Sequence, residues 1–178
     1  MLGGEPYVAA AAELVADRRR ARSLCHALNA GDPVDRTQRE AQLRELLHEI
    51  GEGSEILSPF QCDYGYQISI GARAFINFGA IVLDSAAVTI GDDVQIGPRV
   101  QLITPTHPLD SARRRTGLER AAPIAIDDDA WLAAGVIVLP GVTIGEACVI
   151  GAGSVVTRSM PARHLCHGSP CRPIRPIV

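Results

Sequence analysis

The sequence predicts a mainly β protein, a parallel β-helix with an N-terminal helical cover and one extruded loop. Three observations predict it. Ile126, Leu132, Val138, Ile144, Ile150 and Val156 are spaced six apart without exception. An upstream series has the same interval: Ile70, Ile76 and Val82, then Ile90, Ile96 and Leu102 after a two-residue offset. The rhythm then breaks. After Leu102 the next anchor is due at 108, or at 110 with the offset, and comes at 126, so 16 to 18 residues are extra.

Six residues are too few for a helical repeat or a hairpin. They suit one short strand plus a corner, with the anchor pointing inward and glycine or a small residue turning the corner. Three such units close one coil of a triangular prism, and stacked coils bury a column of aliphatic side chains. Small or β-branched residues follow the anchors by four: Ala130, Val136, Val142, Cys148 and Ser154. The spacing leaves the hand of the coil open, and the usual crossover rule favours a right-handed one.

Taken in order, residues 1–60 read as the helical cover. "AAAAELVADRRRARSLCHAL" is rich in helix formers and stops at Gly31 and Pro33. Thr37 and Glu40 then form a capping-box pattern before Leu43, Leu46, Leu47 and Ile50, one buried helical stripe that Gly51 closes. Residues 61–161 form the β-helix, with the extruded loop at about 106–123, and residues 162–178 are a C-terminal tail. A rigid coil can release so many extra residues only as a surface loop, and such loops are usually functional.

The 178 residues fit one domain, 47% hydrophobic and 21% charged, which is a globular balance. A net charge of −3 and 4% aromatics give no reason to expect nucleic acid or an anionic membrane as partner. No secretory signal pattern and no apolar run of membrane-spanning length is present, so the expected location is the cytoplasm. Cys25, Cys62, Cys148, Cys166 and Cys171 form no C-x-x-C pair and are expected to be buried thiols.

Chemistry concentrates at the break. His107 lies where the chain leaves the coil, with Pro105 and Pro108 restricting the backbone on either side. Imidazole, with an ordinary pKa near ~6.5, suits general-base work around neutral pH. Asn77 and Asp84 occupy non-anchor positions and are expected to face outward. Trp131 precedes the anchor Leu132 and should project from the prism wall as a flat surface for a ligand. After Glu146 the chain has no acidic residue but carries Arg158, Arg163, Arg172 and Arg175, a basic stretch suited to a phosphorylated ligand. A catalytic zinc would want about three protein ligands, and the repeats hold a single histidine, so no metal is expected.

The stretches "CDYGYQISIG" (62–71), "INFGAIVLD" (76–84), "VTIGDDVQIGPRVQLITPTHPLD" (88–110), "RTGLERAAPIAIDDDAWL" (115–132), "LPGVTIGEACVIGAGSVVT" (139–157) and "GSPCRPIR" (168–175), with the opening "GGEPY", resemble the maltose, galactoside and nodulation-factor O-acetyltransferases. These are a branch of the hexapeptide-repeat acyltransferases. The resemblance runs from about Gly3 to Arg175. It implies a left-handed β-helix and a homotrimer with active sites between subunits. It further implies acetyl-CoA as cosubstrate, no tightly bound cofactor, and a small-molecule hydroxyl acceptor that is typically a sugar.

By position, the resemblance makes His107 the catalytic base. It places Asp63, Asn77, Asp84 and Trp131 about the acceptor and the reacting centre. Ala134, Ala152, Thr157 and Arg158 run along the pantetheine and phosphates, and Arg172 and Arg175 meet the nucleotide phosphates. Three departures bear on the acceptor. "YVAAAAEL" lacks the acidic residue usual after the opening aromatic, Ser85 stands where the galactoside branch has a second acid, and "WLAAG" replaces "W-I-G". A less polar acceptor, such as a glycosylated natural product, fits these changes. Two other readings share the fold: a xenobiotic acetyltransferase, and a non-catalytic β-helix binding module.

Overall fold

The computed structural model describes residues 5–177; Gly3 and Gly4 of the "GGEPY" stretch lie outside them. Its body is a parallel β-helix with three faces. The first face stacks Glu49–Ile50, Ile68–Ile70, Val88–Ile90, Ile124–Ile126 and Thr143–Ile144 in that order. The second stacks Glu55–Ile56, Phe75–Ile76, Gln95–Ile96, Trp131–Leu132 and Val149–Ile150. The third stacks Phe60–Cys62, Ala80–Leu83, Gln101–Ile103, Ile137–Val138 and Val155–Val156.

The anchors pair in register from coil to coil. Ile50, Ile70, Ile90, Ile126 and Ile144 form one column. Ile56, Ile76, Ile96, Leu132 and Ile150 form the second, and Cys62, Val82, Leu102, Val138 and Val156 the third. All are buried, as are Ala130, Val136, Val142, Cys148 and Ser154. The expected fold class is therefore the observed one, a left-handed parallel β-helix in a mainly β chain.

Two expectations about its lower end are corrected. The coil begins at Glu49, one whole turn earlier than the spacing suggested. Helix α1 spans Ala12–Ala30 and stops at Gly31 as expected, but helix α2 spans Arg36–Leu46. Its N-cap is Asp35, whose side chain accepts from the Gln38 amide, so Thr37 lies inside the helix and caps nothing. Leu43, Leu46 and Leu47 face the core as foreseen, whereas Ile50 is buried as the first coil anchor. Arg39 ties the cover to that coil: its guanidinium donates to Leu28 O at 3.2 Å and Ile56 O at 2.6 Å.

The corners bear out the expectation on part of the prism. The left-handed residue is the third after the anchor: a glycine at Gly79, Gly135, Gly141 and Gly153, with φ of 79°, 69°, 78° and 69°, but Arg73, Asp93, Asp129 and Ala147 at other corners, with φ of 57°, 57°, 59° and 51°. The glycine after the anchor is needed for close stacking instead. A Cβ on Gly71 would lie 2.7 Å from the Asp92 amide nitrogen of the next coil.

The tail is ordered. His164–Gly168 continues the second face beside Val149–Ile150, and Cys171–Pro176 folds back antiparallel on it. All five cysteines are free and buried. No helix among the described residues is long and apolar enough to cross a membrane.

Candidate active site

The loop leaves the coil at the corner between the third and first faces. Thr104 roots it: this buried residue donates its hydroxyl to Leu83 O at 2.6 Å and accepts from the Ala86 amide at 3.0 Å. The Ala122 amide closes the base on Thr104 O at 3.0 Å. Between these ends, Pro105–Thr106 pairs antiparallel with Leu118–Ala121, and a short helix α3, Ser111–Arg114, makes the tip. Tyr7–Val8 adds a third strand along Leu118–Ala121. The loop is thus a small sheet of its own, stapled by the N-terminal segment.

His107 follows the first of these strands. Its Nδ1 lies 3.7 Å from Glu119 Oε1 on the return strand, with side chains 57% and 18% exposed. That distance is longer than a hydrogen bond, and Nδ1 is the ring nitrogen that meets the carboxylate. The two line a cavity of about 250 Å³ together with Pro6, Thr106 and Arg113. Glu119 was not a candidate in the sequence. The available signal was weak: it is the one carboxylate on the return strand of the loop.

Asp63 belongs to the same corner. It lines a cavity of about 440 Å³ with Arg22, His26, Asn29 and Gln61. Burial pushes its carboxyl above the ordinary range, Arg18 and Arg22 pull it down, and Glu119 adds to the rise. A carboxyl raised in the folded state stabilises the fold below its unfolded value of 3.8 and loses that contribution as pH climbs through the folded value. Ionised Asp63 therefore opposes folding at neutral pH. Asp63→Asn should raise the melting temperature at neutral pH and flatten its dependence on pH above about 4. A lower melting temperature than wild type at neutral pH would mean that the two arginines outweigh burial.

Asp84 corrects the expectation that it faces outward. It is fully buried, and its carboxylate accepts from the amides of Asp63 at 3.0 Å, Tyr64 at 2.8 Å and Gly65 at 2.7 Å. Burial raises its carboxyl, and the Tyr64 and Gly65 amides oppose the rise. It closes the corner of the coil below, as Thr104 does one coil higher.

The other residues lie elsewhere on the prism. Asn77 and Trp131 are on the second face, with Trp131 51% exposed, as projecting from the wall requires. Asn77 Oδ1 accepts from the Phe78 amide at 2.8 Å, and its amide nitrogen has no hydrogen-bond partner among the described residues. Ala134 and Ala152 are exposed and stack at the corner between the second and third faces, where the Gly153 amide donates to Ala134 O at 2.9 Å. Thr157 and Arg158 are exposed beyond the last third-face strand. Arg172 and Arg175 project from the terminal hairpin with no carboxylate partner among the described residues. Arg163, by contrast, is paired with Glu146, which removes it from the free basic set.

The site residues thus form two groups. His107, Glu119 and Asp63 share the loop corner, while Asn77, Trp131, Ala134 and Ala152 occupy the second face and its far corner. None of the second group lines the His107 cavity.

Comparison with known proteins agrees with this architecture. A profile described as the maltose acetyltransferase hexapeptide capping motif matches residues 1–51, and one described as the bacterial transferase hexapeptide (six repeats) matches residues 123–158. The chain is 48% identical to nodulation protein L of Rhizobium meliloti, over 97% of this chain and 94% of that protein. A maltose O-acetyltransferase structure from Clostridium difficile superposes with a TM-score of 0.97 at 39% identity, covering 99% of this chain and 95% of that one. A hexapeptide-repeat acetyltransferase from Vibrio cholerae, complexed with acetyl coenzyme A, gives 0.94 at 40% identity over 100% and 96%. From its capping helices to its last coil, then, the chain belongs to the maltose, galactoside and nodulation-factor O-acetyltransferase branch of the hexapeptide-repeat acyltransferases, and it is an acetyltransferase.

Proposed function

We propose that the protein transfers acetyl from acetyl-CoA to a hydroxyl of a sugar or sugar-like acceptor in the cytoplasm, with His107 as general base. The observation that carries this reading is His107 itself. It stands at the proline-restrained root of the loop, opens into a cavity, and has its Nδ1 turned to Glu119, so that Nε2 is the nitrogen available to a substrate. The acceptor oxygen attacks the thioester carbonyl while its proton passes to Nε2. The tetrahedral intermediate then collapses, the C–S bond breaks, and the departing thiolate takes the proton back from Nε2. Glu119 keeps the ring oriented and stabilises the imidazolium formed between these steps.

The separation of the two groups of residues supports a homotrimer in which the loop corner of one copy faces the second face of its neighbour. His107, Glu119 and Asp63 would then meet Asn77, Trp131 and the Ala134–Ala152 corner of another subunit. Asp63, beside Arg18 and Arg22, supplies polar contacts to the acceptor. Thr157, Arg158, Arg172 and Arg175 follow the cosubstrate's phosphates.

An acceptor panel with acetyl-CoA held fixed, read by release of the CoA thiol, tests the reading. It should include simple sugars, glycosylated natural products and hydroxylated antibiotics. Turnover with a hydroxyl acceptor is expected; turnover with amines alone, or no affinity for acetyl-CoA, would sink it. Replacing Arg172 and Arg175 together with alanine should raise the KM for acetyl-CoA at least roughly five- to tenfold, with kcat little changed, as expected for lost hydrogen bonds to charged groups at an exposed site. An unchanged KM would remove them from the phosphate site.

A further inference from the structure

We propose that Tyr7 is a positioning residue for the transfer, its hydroxyl holding Glu119 against His107. The inference rests on the acetyl-transfer reading above and gives the N-terminal segment a part in it.

The geometry starts from register. Tyr7 stands directly opposite Glu119 in the antiparallel pair that joins Tyr7–Val8 to the loop's return strand. From there its hydroxyl donates to Glu119 Oε2 at 2.9 Å, while the other carboxylate oxygen, Oε1, faces His107 Nδ1. One carboxylate thus bridges a buried group and an exposed one. Tyr7 is 8% exposed, its ring seated against Ala86 and Ala121 with Ala9 and Leu14 beside it. His107, at the opposite end, is more than half exposed. The burial gradient means that the imidazole takes its orientation from the carboxylate, and the carboxylate takes its own from the tyrosine.

Packing alone does not account for the hydroxyl. A phenylalanine would fill the same pocket without bringing a polar group to bury. The phenolic proton goes to Glu119 Oε2.

Tyr7→Phe, Glu119→Gln and the double variant test the proposal. The first readout needs no acceptor: the His107 ring signals, followed by NMR in the intact protein at one fixed pH. Glu119→Gln should change them, because the ring loses the carboxylate beside Nδ1. Tyr7→Phe should change them the same way by less, as the carboxylate is released from the ring. The double variant should match Glu119→Gln alone, since Tyr7 acts only through Glu119. In turnover with the best acceptor of the panel, Tyr7→Phe should lower kcat roughly 3- to 10-fold, the size of one hydrogen bond acting through a neighbour, with the KM for acetyl-CoA unchanged. His107 ring signals that stay in place in Tyr7→Phe overturn the proposal. So does a kcat loss accompanied by a lower melting temperature and a raised KM for acetyl-CoA, which would make Tyr7 structural only. If instead His107→Ala turns over normally, it is the acetyl-transfer reading that fails, whatever Tyr7 does to the ring signals.

Discussion

Replacing His107 with alanine should lower kcat by about 10²-fold or more while acetyl-CoA still binds, the scale on which a general base contributes. The expectation follows from where the imidazole sits. It is carried on a small loop sheet whose roots, at Thr104 and Ala122, are bonded into the coil. No coil anchor depends on the His107 side chain, which is more than half exposed, so its truncation should leave the fold and melting temperature unchanged. The residues proposed for the cosubstrate lie on the second face, the far corner and the terminal hairpin. The loss should therefore fall on the chemical step. Steady-state kinetics alongside calorimetric titration of acetyl-CoA separates the two terms. Near-normal turnover would remove His107 from the mechanism, and abolished binding would make it a contact to the donor instead.

Most of the coil is legible in the sequence because a stacked core requires an aliphatic residue at a fixed interval, and the interval survives in Ile126 to Val156 without an exception. The first coil is hidden for a physical reason. Ile50 continues the i, i+3, i+4, i+7 stripe of Leu43, Leu46 and Leu47, so helical and six-residue periods coincide there. The third anchor of that coil is Cys62 rather than an aliphatic residue. The glycines after the anchors are visible in the sequence, but their reason is not: clearance toward the next coil is a property of stacking that no local pattern encodes.

The candidate site divides in the same way. His107 is legible because it marks a break in a repeat. Glu119 and Tyr7 are not, because the bond between them joins residues 112 positions apart through a strand pairing that only the folded loop creates.

Asp84, expected to face outward, is instead fully buried, and its replacement should give the largest stability effect of any site residue. A contact to the acceptor predicts that Asp84→Ala raises the acceptor KM and leaves stability alone. The structure predicts the reverse order. Three amide donors, from Asp63, Tyr64 and Gly65, converge on this buried carboxylate. Removing an acceptor from a buried donor costs about 1–3 kcal/mol each. The Asp63 amide keeps Val82 O as acceptor, whereas the buried Tyr64 and Gly65 amides lose theirs. Asp84→Ala should therefore destabilise the protein by about 2 kcal/mol or more, measured by urea unfolding. Asp84→Asn should fall between the two. Its carbonyl can still accept from Asp63 and Tyr64, whereas its amide nitrogen meets the Gly65 donor with nothing to offer. Any effect of Asp84→Asn on turnover should be secondary, through the Asp63 corner that Asp84 braces, and should therefore scale with the stability loss. An Asp84→Ala protein as stable as wild type but with a weakened acceptor would return this residue to the acceptor pocket.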